Sequence, residues 1–334
     1  MQNSPLVDAS EPHIQYRVIA SLSELPQMTT LQPGEAFMVP SFELAEALIA
    51  RGADSARIAI QSDESLDQIY RCAKTAAEAP LVPSTPFCYE PTIVIVLPTY
   101  NEEQNLEPMI TRIANYLVAD ILVVDDNSPD GTGRLADELS KQRPHVHVLH
   151  RPAKEGLGPA YLAGFQWSLK REYELIIEMD CDFSHSPWDL PRLVHRSQTA
   201  ELVIGSRYVP GGGTCNWDRT RRLVSRLGNR YVSMFLGGDI QDWTSGFRCY
   251  RRELLARMDL ALVEATGYVF QVEIAWRARQ LGASICEMPI RFHDRIHGQS
   301  KLGWRSILEA MTGIPKMYLQ SSLRSRLKSA DTGA

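Results

Sequence analysis

The sequence predicts an α/β protein in which a mainly parallel sheet is covered by helices on both faces, preceded by a small separate α/β unit. Two observations support this prediction. From residue 92 onward, short apolar strands alternate with helical stretches, which is the pattern of a buried parallel sheet. Before that point, residues 80–91 contain four prolines, and proline at this density excludes a helix and favours an extended linker.

Charge divides the chain at the same place. Residues 1–90 hold 5 Lys and Arg against 12 Asp and Glu, whereas the remainder holds 30 against 28. An acidic first part and a mildly basic second part indicate two units with different roles, and this balance is not that of a nucleic-acid-binding protein. The six cysteines include no C-x-x-C pair, as expected for reduced thiols in a cytosolic protein. The sequence shows neither a secretory signal nor an apolar run long enough to span a membrane.

The first unit is predicted to occupy residues 1–79, with a structureless start at 1–12. Residues 14–20 and 56–62 have strand character, and residues 41–52 and 62–79 have the pattern of helices. The proline-rich linker at 80–91 follows. The second α/β unit is predicted at 92–315, and residues 316–334 form a basic tail.

In the second unit, strands and helices alternate in order along the chain. The predicted strands are 92–98, 120–126, 145–150 and 174–180, and the predicted helical stretches are 99–117, 130–142 and 156–171. In such sheets the ligand binds in the crevice beyond the carboxyl ends of the strands. Three of these strands end in polar clusters, which are Pro98-Thr99-Tyr100-Asn101-Glu102, Asp125-Asp126-Asn127-Ser128-Pro129-Asp130-Gly131-Thr132 and Asp180-Cys181-Asp182.

These clusters have the chemistry of a nucleotide and metal site. Tyr100 can stack on a flat base, while Glu102 or Asp126 can accept hydrogen bonds from base amines or ribose hydroxyls. Asp180 and Asp182 repel each other and are costly to desolvate unless a cation compensates them. A hard cation such as Mg²⁺ or Mn²⁺, bridging to a diphosphate, would satisfy both carboxylates.

Each cluster also has a simpler interpretation. The first could be a turn into a helix capped by Asn101, the second a β-turn, and the third a pair of solvated loop acids. Their occurrence at three strand ends in this order favours a functional site. Further along the chain, the glycines at 211–213 are most simply a flexible connector. We expect His185 and His293 to be structural, and Trp243 to be a core aromatic residue or to line an acceptor pocket.

The motifs LPTYNE, VVDDNSPDGT and MDCDFSH together resemble family 2 glycosyltransferases with the GT-A, Rossmann-like fold. Later segments resemble the polyprenol-phosphate (dolichol-phosphate) mannose synthases within that family, namely IGSRYVPGGG, NWDRTRRLVSRLGN, TSGFRCYRRELL, GYVFQVEI and IRFHDRIHGQSKL. The resemblance runs from about residue 92 to about residue 315. It does not cover residues 1–90.

This resemblance implies inverting transfer of mannose from GDP-mannose to a dolichyl- or undecaprenyl-type phosphate, with Mg²⁺ or Mn²⁺ as cofactor. The implied catalytic residues are Asp180, Asp182 and Arg207. The implied donor contacts are Pro98, Tyr100, Glu102, Val124, Asp126, Asp180, Cys181, Asp182, Arg207, Arg295 and Lys301. Arg207 and Arg221 would bind the acceptor phosphate, and Asp180, Asp182 and Ser184 would hold the metal.

A lipid acceptor requires contact with a membrane surface. Residues 303–329 offer apolar positions at helical spacing, namely Ile307, Leu308, Met311, Ile314 and Tyr318, with basic residues Lys316, Arg324, Arg326 and Lys328 nearby. Such a helix can lie in an anionic bilayer interface or pack its apolar stripe on the core. The expected location is the cytoplasmic face of a membrane, held peripherally or through a small membrane-anchoring subunit.

Two other functions are compatible with the sequence. The same fold could use UDP-glucose, because the donor motifs are shared across the family, although the loop containing Arg295 and Lys301 favours mannose. Alternatively, the chain could be a non-catalytic scaffold that binds nucleotide sugars. The intact set of carboxylates and arginines argues against a scaffold. The acidic first unit could regulate the enzyme or bind a partner, and the sequence does not decide between these roles.

Overall fold

A computed structural model describes residues 91–215, 217–263, 267–293 and 312–318, together with three short strands nearer the N terminus. The chain divides into two compact units, Met1–Pro86 and Phe87–Ala334. The helices predicted at 41–52 and 62–79 lie outside the described residues. No helix in the described ranges combines the length and the apolar character needed to cross a bilayer.

The described part of the first unit is a small parallel sheet. Its strands are β1 (Gln15–Val18), β2 (Glu35–Val39) and β3 (Ile58–Ile60), in the spatial order β1-β2-β3. Strands β1 and β3 fall within the two predicted strands, whereas β2 was not predicted from the sequence. Its five residues, EAFMV, form a run too short to distinguish from loop by periodicity alone.

The second unit contains a seven-stranded sheet with the order β11-β8-β10-β7-β4-β5-β6. These strands are β4 (Ile93–Thr99), β5 (Asp120–Asp125), β6 (Val146–His150), β7 (Leu175–Glu178), β8 (Leu202–Ser206), β10 (Arg248–Arg251) and β11 (Ile285–Pro289). Only β10 runs antiparallel to its neighbours within this sheet, β7 and β8. Two short strands, β9 (Gly213–Thr214) and β12 (Arg291–Phe292), pair separately.

Helices flank the sheet as predicted. They are α1 (Glu103–Tyr116), α2 (Thr132–Gln142), α3 (Leu157–Leu169), α4 (Leu190–Arg196), α5 (Arg219–Leu236), α6 (Arg252–Arg257) and α7 (Gly267–Gln280). A further helix covers residues 312–318 and crosses the predicted boundary between 315 and 316. The predicted α/β fold with a mainly parallel sheet is confirmed.

Alternate side chains of strand β4 belong to two different buried clusters, which shows that both faces of the sheet are covered. Val94 and Val96 of β4 belong to one buried cluster, whereas Ile93, Ile95 and Leu97 belong to the other. Successive side chains of a strand point to opposite faces, so this division means that each face has its own apolar core. The continuous apolar run of β4 is therefore explained by burial on both sides.

Candidate active site

The three polar clusters predicted from the sequence lie side by side. Strand β4 lies between β7 and β5 and runs parallel to both, with Thr99 beside Asp125 and Val96 beside Glu178. The loops that leave these strands therefore emerge at one edge of the sheet. Pro98 and Val124, two predicted donor contacts, are register partners in β4 and β5. Distant parts of the sequence thus meet at one place.

Glu102 begins helix α1 and is fixed by its neighbours. Its backbone N–H donates to Oγ1 of Thr132 at 2.9 Å, and its Oε2 accepts a hydrogen bond from Asn105 at 2.7 Å. The alternative in which Asn101 caps the helix is wrong, because Glu102 occupies that position. Asn101 instead adopts a left-handed conformation with φ 61° and donates its N–H to Ser128. The first two clusters are therefore joined by hydrogen bonds.

The ring of Tyr100 makes a cation–π contact with Lys154. The Nζ atom of Lys154 lies 3.5 Å from the ring centroid. A contact of this kind is favourable because the ring face is electronegative. A base that stacks on this face must displace the Lys154 ammonium.

Two adjacent aspartates in the second cluster have different roles. Asp125 holds its own turn, since its carboxylate accepts hydrogen bonds from the hydroxyl of Ser128 at 2.6 Å and from the Ser128 N–H at 3.3 Å. Asp126, which is buried, accepts a hydrogen bond from Nη1 of Arg151. Strand β5 ends at Asp125, one residue before its predicted end, so Asp126 lies just beyond the strand. Arg151 was not identified from the sequence.

The third cluster forms a tight turn that begins two residues after β7. The N–H of Ser184 donates to Oδ1 of Asp182 at 3.0 Å, and Phe183 adopts a left-handed φ of 61°. The N–H of Asp180 donates to Nδ1 of His185 at 3.4 Å, which leaves Nε2 of that ring to carry its proton. The His185 ring stacks on Phe247 with centroids 5.2 Å apart. His185 thus contacts both the Asp180 backbone and Phe247, and its structural role stays a prediction.

Tyr161 holds the carboxylate of Asp180 from the side of helix α3. Its hydroxyl donates to Oδ1 of Asp180 at 3.0 Å. Burial raises the pKa of Tyr161 well above its ordinary value, and the nearby charge of Asp180 adds to the shift. The phenol therefore stays a hydrogen-bond donor throughout the physiological pH range. Gly246 lies near the other oxygen of this carboxylate, since a Cβ placed on it would be 4.0 Å from Oδ2 of Asp180.

The donor set at this turn fits a hard cation that also binds substrate. Among the described residues, no group of three His, Cys, Asp or Glu side chains is arranged to hold a metal. Asp180 and Asp182 alone match the way Mg²⁺ is usually held, by one or two carboxylates together with substrate phosphates. The buried hydroxyl oxygen of Ser184 makes no hydrogen bond to the protein. The residues therefore fit a cation whose coordination is completed by a diphosphate.

Cys181 lies between the two aspartates and is buried. Burial raises the pKa of its thiol well above the ordinary value, and the surrounding carboxylates of Glu102, Asp182 and Asp180 raise it further. The reactive form of cysteine is the thiolate. The Cys181 side chain is thus unsuited to act as a nucleophile.

Beneath the turn, the last residue of β7 is a fully buried acid. Glu178 accepts a hydrogen bond from the hydroxyl of Tyr250 at 3.0 Å and lies 3.5 Å from Nε of Arg248. Burial raises the pKa of Glu178 to about 8, although the charge of Arg248 opposes this shift. These groups fix the base of the Asp180 turn.

Arg207 follows β8 and is held by a carboxylate that was not identified from the sequence. Its Nε and Nη2 donate to the two oxygens of Asp242 at 2.8 and 2.6 Å, and its backbone N–H donates to the same side chain at 2.9 Å. Nη2 also donates to Thr244 at 2.7 Å. Burial would raise the pKa of Asp242, but the Arg207 guanidinium holds it below its ordinary value. Arg207 is therefore buried, charged and fixed in direction.

Trp217 connects the two predicted acceptor-phosphate arginines. The Cζ atom of Arg221 lies 4.1 Å from the Trp217 ring centroid, and that of Arg207 lies 5.7 Å away. Arg221 lies in the first turn of α5, where its N–H donates to the capping carboxylate of Asp218 at 2.8 Å. Arg221 is half-buried. The structure thus brings both arginines to one aromatic ring.

The glycines at 211–213 do not form a simple flexible connector, so that expectation is wrong. A Cβ on Gly212 would lie 2.5 Å from the backbone oxygen of Ser206, which means that the turn packs directly on the end of β8. Gly211 has a φ of 88°, and Gly213 belongs to β9. Gly212 is required because the backbone passes so close to Arg207, and Gly211 because its φ is left-handed, whereas a Cβ on Gly213 would meet nothing within 4 Å.

Several predicted residues are placed elsewhere or not described. Trp243 is fully buried and donates its Nε1–H to Ser233 at 3.1 Å, so it is a core residue. Arg295 and Lys301 lie outside the described residues, as do Ile307, Leu308, Met311, Arg324, Arg326 and Lys328 of the predicted membrane segment. The described chain reaches His293, whose N–H donates to the carbonyl of Ser184 at 3.0 Å.

Four residues at the site were not identified from the sequence, namely Tyr161, Arg151, Asp242 and Trp217. Tyr161, Arg151 and Asp242 act through contacts between segments far apart in the chain, such as the 35 positions that separate Arg207 from Asp242, whereas Trp217 contacts Arg221 four positions further on. No local spacing indicates such a pair. Only a search for carboxylates able to neutralise a buried arginine could have suggested Asp242.

The chain is similar to known proteins in sequence. The model of the glycosyl transferase family 2 matches residues 94–258. The chain is 47% identical over 233 residues to the polyprenol monophosphomannose synthase of Mycolicibacterium smegmatis, covering 69% of this chain and 88% of that protein. It is 44% identical over 239 residues to the undecaprenyl-phosphate mannosyltransferase of Micrococcus luteus, covering 70% and 98%.

A solved structure is similar in fold. Glucosyl-3-phosphoglycerate synthase from Mycobacterium tuberculosis, crystallised with Mn²⁺ and UDP-glucose, aligns with a TM-score of 0.50 and 23% identity. The alignment covers 67% of this chain and 79% of that one. This likeness concerns the fold alone; the family match and the two relatives establish that the chain is a glycosyltransferase and belongs to glycosyltransferase family 2.

Proposed function

We propose that this enzyme transfers mannose from GDP-mannose to a polyprenyl phosphate, with inversion, and produces polyprenyl β-phosphomannose. The observation that carries this proposal is the 47% identity to a polyprenol monophosphomannose synthase over 88% of that protein's length. A similar identity extends over 98% of an undecaprenyl-phosphate mannosyltransferase. The acceptor is accordingly a dolichyl- or undecaprenyl-type phosphate.

The nucleotide binds at the ends of β4 and β5. Tyr100 stacks on the base after Lys154 moves from its ring, and Glu102 and Asp126 accept hydrogen bonds from the base or ribose. Pro98 and Val124 line the same position from two paired strands. Arg151 donates a hydrogen bond to Oδ1 of Asp126, and the other carboxylate oxygen accepts the hydrogen bond from the nucleotide.

The diphosphate binds at the Asp180 turn. Asp180 and Asp182, with Ser184 beside them and Cys181 between them, would hold Mg²⁺ or Mn²⁺ together with the diphosphate oxygens. A cation bound there would supply Lewis-acid stabilisation of negative charge on the leaving diphosphate. Arg295 and Lys301 would add positive charge at the diphosphate; in the sequence they follow His293, whose N–H donates to the carbonyl of Ser184.

The acceptor phosphate binds Arg207 and Arg221, whose guanidinium groups both lie near the Trp217 ring. A phosphate oxygen is already anionic at neutral pH, so its attack requires no strong general base. The site must instead bring three phosphates together against their repulsion, which is the task of fixed cationic groups. The acceptor phosphate oxygen is itself the nucleophile, and its direct displacement of the leaving diphosphate inverts the anomeric centre, while Asp180 and Asp182 would bind the cation rather than attack the sugar.

The lipid acceptor implies that the enzyme works at a membrane surface. We propose peripheral association with the cytoplasmic face of a membrane, either directly or through a small anchoring subunit. The predicted C-terminal segment contributes Ile314, which is buried, and Tyr318, which is exposed, within the described helix at 312–318. Ile314 therefore packs on the core, as in the alternative given for this segment.

The test is a transfer assay with GDP-mannose and UDP-glucose side by side. Purified full-length chain is incubated with labelled donor and undecaprenyl phosphate, in Mg²⁺, in Mn²⁺ and in EDTA, and the organic phase is counted. We expect lipid-extractable label from GDP-mannose, dependent on the cation. Product from UDP-glucose alone would overturn the donor assignment, and no product from either donor would favour the scaffold.

A further inference from the structure

Helix α7 buries a polar side chain close to the Asp180 turn. Gln271, near the start of this helix, is only 2% exposed. Neither the nitrogen nor the oxygen of its side-chain amide makes a hydrogen bond of normal geometry to the described residues. Burial raises the pKa of Glu178, and the nearby Gln271 amide opposes this shift. A buried amide is costly to leave unpaired, so its position requires an explanation.

The amide borders an opening that a glycine creates. Gly246 and Asp180 are both half-buried. A Cβ placed on Gly246 would lie 3.4 Å from Nε2 of Gln271 and 4.0 Å from Oδ2 of Asp180. These are ordinary contact distances, so the described residues leave room here for an atom of that size. The opening lies between an amide and a carboxylate.

Arg248 fixes two sides of this opening. Its Nη1 donates to the backbone carbonyl of Gln271 and its Nη2 to that of Trp243, both at 2.8 Å. The guanidinium is fully buried. The start of α7 and the loop that contains Gly246 are therefore held at a fixed separation.

The opening lies between the two ends of the proposed reaction. Asp242 holds Arg207, which is proposed to bind the acceptor phosphate, and Gly246 follows Asp242 by four positions and faces Asp180. The sugar is attached to the diphosphate and must meet the acceptor phosphate, so it must lie beside this loop. The proposed contacts serve the nucleotide, the diphosphate and the acceptor phosphate, which leaves the sugar itself without one.

We propose that the opening at Gly246 is the subsite of the transferred hexose, in which one sugar hydroxyl accepts a hydrogen bond from the Gln271 amide and donates one to Asp180. A hydroxyl is the group of a hexose that can do both at once. Gln271 selects the sugar, because a ligand that lacks this hydroxyl leaves the buried amide unpaired. The inference rests on the proposed function in taking the ligand to be a nucleotide-linked hexose.

Two substitutions test the subsite in different ways. Gln271→Leu removes the amide at similar volume, whereas Gly246→Ala keeps every polar group and fills the opening at ordinary contact distances. The matched controls are Gln280→Leu, at the exposed end of the same helix, and Gly238→Ala, where a Cβ would meet no described atom within 4 Å. Thermal unfolding of the full-length chain is measured for all four variants.

Titration calorimetry separates sugar binding from nucleotide binding. The full-length chain is titrated in Mn²⁺ with GDP, GDP-mannose, UDP and UDP-glucose. Both subsite variants should bind GDP as wild type does but bind GDP-mannose roughly tenfold more weakly, because the hydroxyl loses a partner or its space. The controls should match wild type with every ligand. Equal weakening of GDP and GDP-mannose, or no change in either, would overturn the subsite.

Transfer assays with monodeoxy analogues of GDP-mannose identify the hydroxyl. The analogues lack in turn the hydroxyl at C2, C3, C4 or C6. Wild type should transfer one of them roughly 10- to 100-fold more slowly than GDP-mannose, because the Gln271 amide is left unpaired. Gln271→Leu should transfer that analogue and GDP-mannose at the same rate. A Gln271→Leu enzyme that discriminates among the analogues as wild type does would contradict the proposal.

The two nucleotide pairs distinguish failure of this inference from failure of the proposed function. If the donor is UDP-glucose, the subsite variants weaken UDP-glucose but not UDP, so the subsite stands and the mannose assignment falls. If only the subsite is wrong, wild type transfers mannose and both variants transfer it at the same rate. A chain that binds neither nucleotide sugar would overturn both.

Discussion

Each charged side chain of the site is held by a specific neighbour. Tyr161 holds Asp180, Arg151 holds Asp126, and Asp242 holds Arg207 through both carboxylate oxygens. Groups fixed in this way do not need to reorganise when charge develops, which is the basis of electrostatic catalysis. The partners that orient such groups are therefore expected to matter nearly as much as the groups themselves.

Replacing Asp182 by Asn should reduce transfer about 100-fold, because the cation loses one of its two carboxylates. Asparagine keeps an oxygen that can accept the Ser184 N–H, so the turn should persist. Transfer, Mn²⁺ binding and thermal unfolding are measured together, with Asp239→Asn as a control at an exposed carboxylate. Full activity in Asp182→Asn would show that this carboxylate does not act in the reaction.

Substitutions in the Arg207–Asp242 pair can separate its effect on the free energy of unfolding from its effect on transfer activity. Asp242→Leu should cost about 3–5 kcal/mol of the free energy of unfolding, because a buried guanidinium loses its counter-charge. Arg207→Met/Asp242→Leu should recover much of this stability, since an apolar pair of similar volume removes the desolvation cost. Urea unfolding measures both effects.

Activity should not recover with stability in that double variant. Arg207 is proposed to bind the acceptor phosphate, and methionine cannot do so. A stable double variant that transfers mannose at the wild-type rate would contradict the role given to Arg207.

At the scale of elements, the packing of α3 on β4 determines where Tyr161 meets the Asp180 turn. A Cβ on Gly164 of α3 would lie 2.4 Å from Cγ1 of Val96, so the helix can approach the strand only because this residue has no side chain. Tyr161, on the same helix, then reaches Asp180. Because Gly164 lets α3 lie close to β4, Tyr161 on the same helix can orient the carboxylate of Asp180.

Gly164→Ala should lower the free energy of unfolding by about 1–3 kcal/mol through overpacking against Val96. Gly228→Ala is the matched control, because Gly228 lies in α5 and a Cβ there would meet nothing within 4 Å. The control should be stabilised by about 0.5–1 kcal/mol, since alanine favours a helix. Equal effects of the two substitutions would mean that the α3–β4 contact is looser than described.

The sequence predicted the strands that alternate with helices, because burial on both sheet faces leaves continuous apolar runs. It also predicted which strand ends carry the site, since polar residues follow β4, β5 and β7. It placed the ends of β5 and β7 one and two residues late, because Asp126 and Asp180 belong to loops in which side chains replace strand pairing. It predicted neither β2 nor any strand after β7, and it did not predict the residues that orient the site across long sequence separations.

At the scale of the whole molecule, the catalytic unit has its own core. Both buried apolar clusters in the described part consist of residues between Ile93 and Met317. Deletion of residues 1–88 should therefore leave transfer within about twofold of wild type, as expected for a domain that folds alone. A truncated chain that unfolds cooperatively but makes no product would show that the acidic first unit belongs to the catalytic machinery.

The central claim is that the acceptor phosphate displaces the nucleotide directly at the anomeric carbon. Nuclear magnetic resonance of the lipid product made from GDP-mannose tests it, because the anomeric configuration records the number of displacements. The account predicts a β-linked mannosyl phosphate, the inverse of the α linkage in the donor. An α-linked product would contradict it, because retention would require two displacements, with a carboxylate of the site as the intermediate nucleophile.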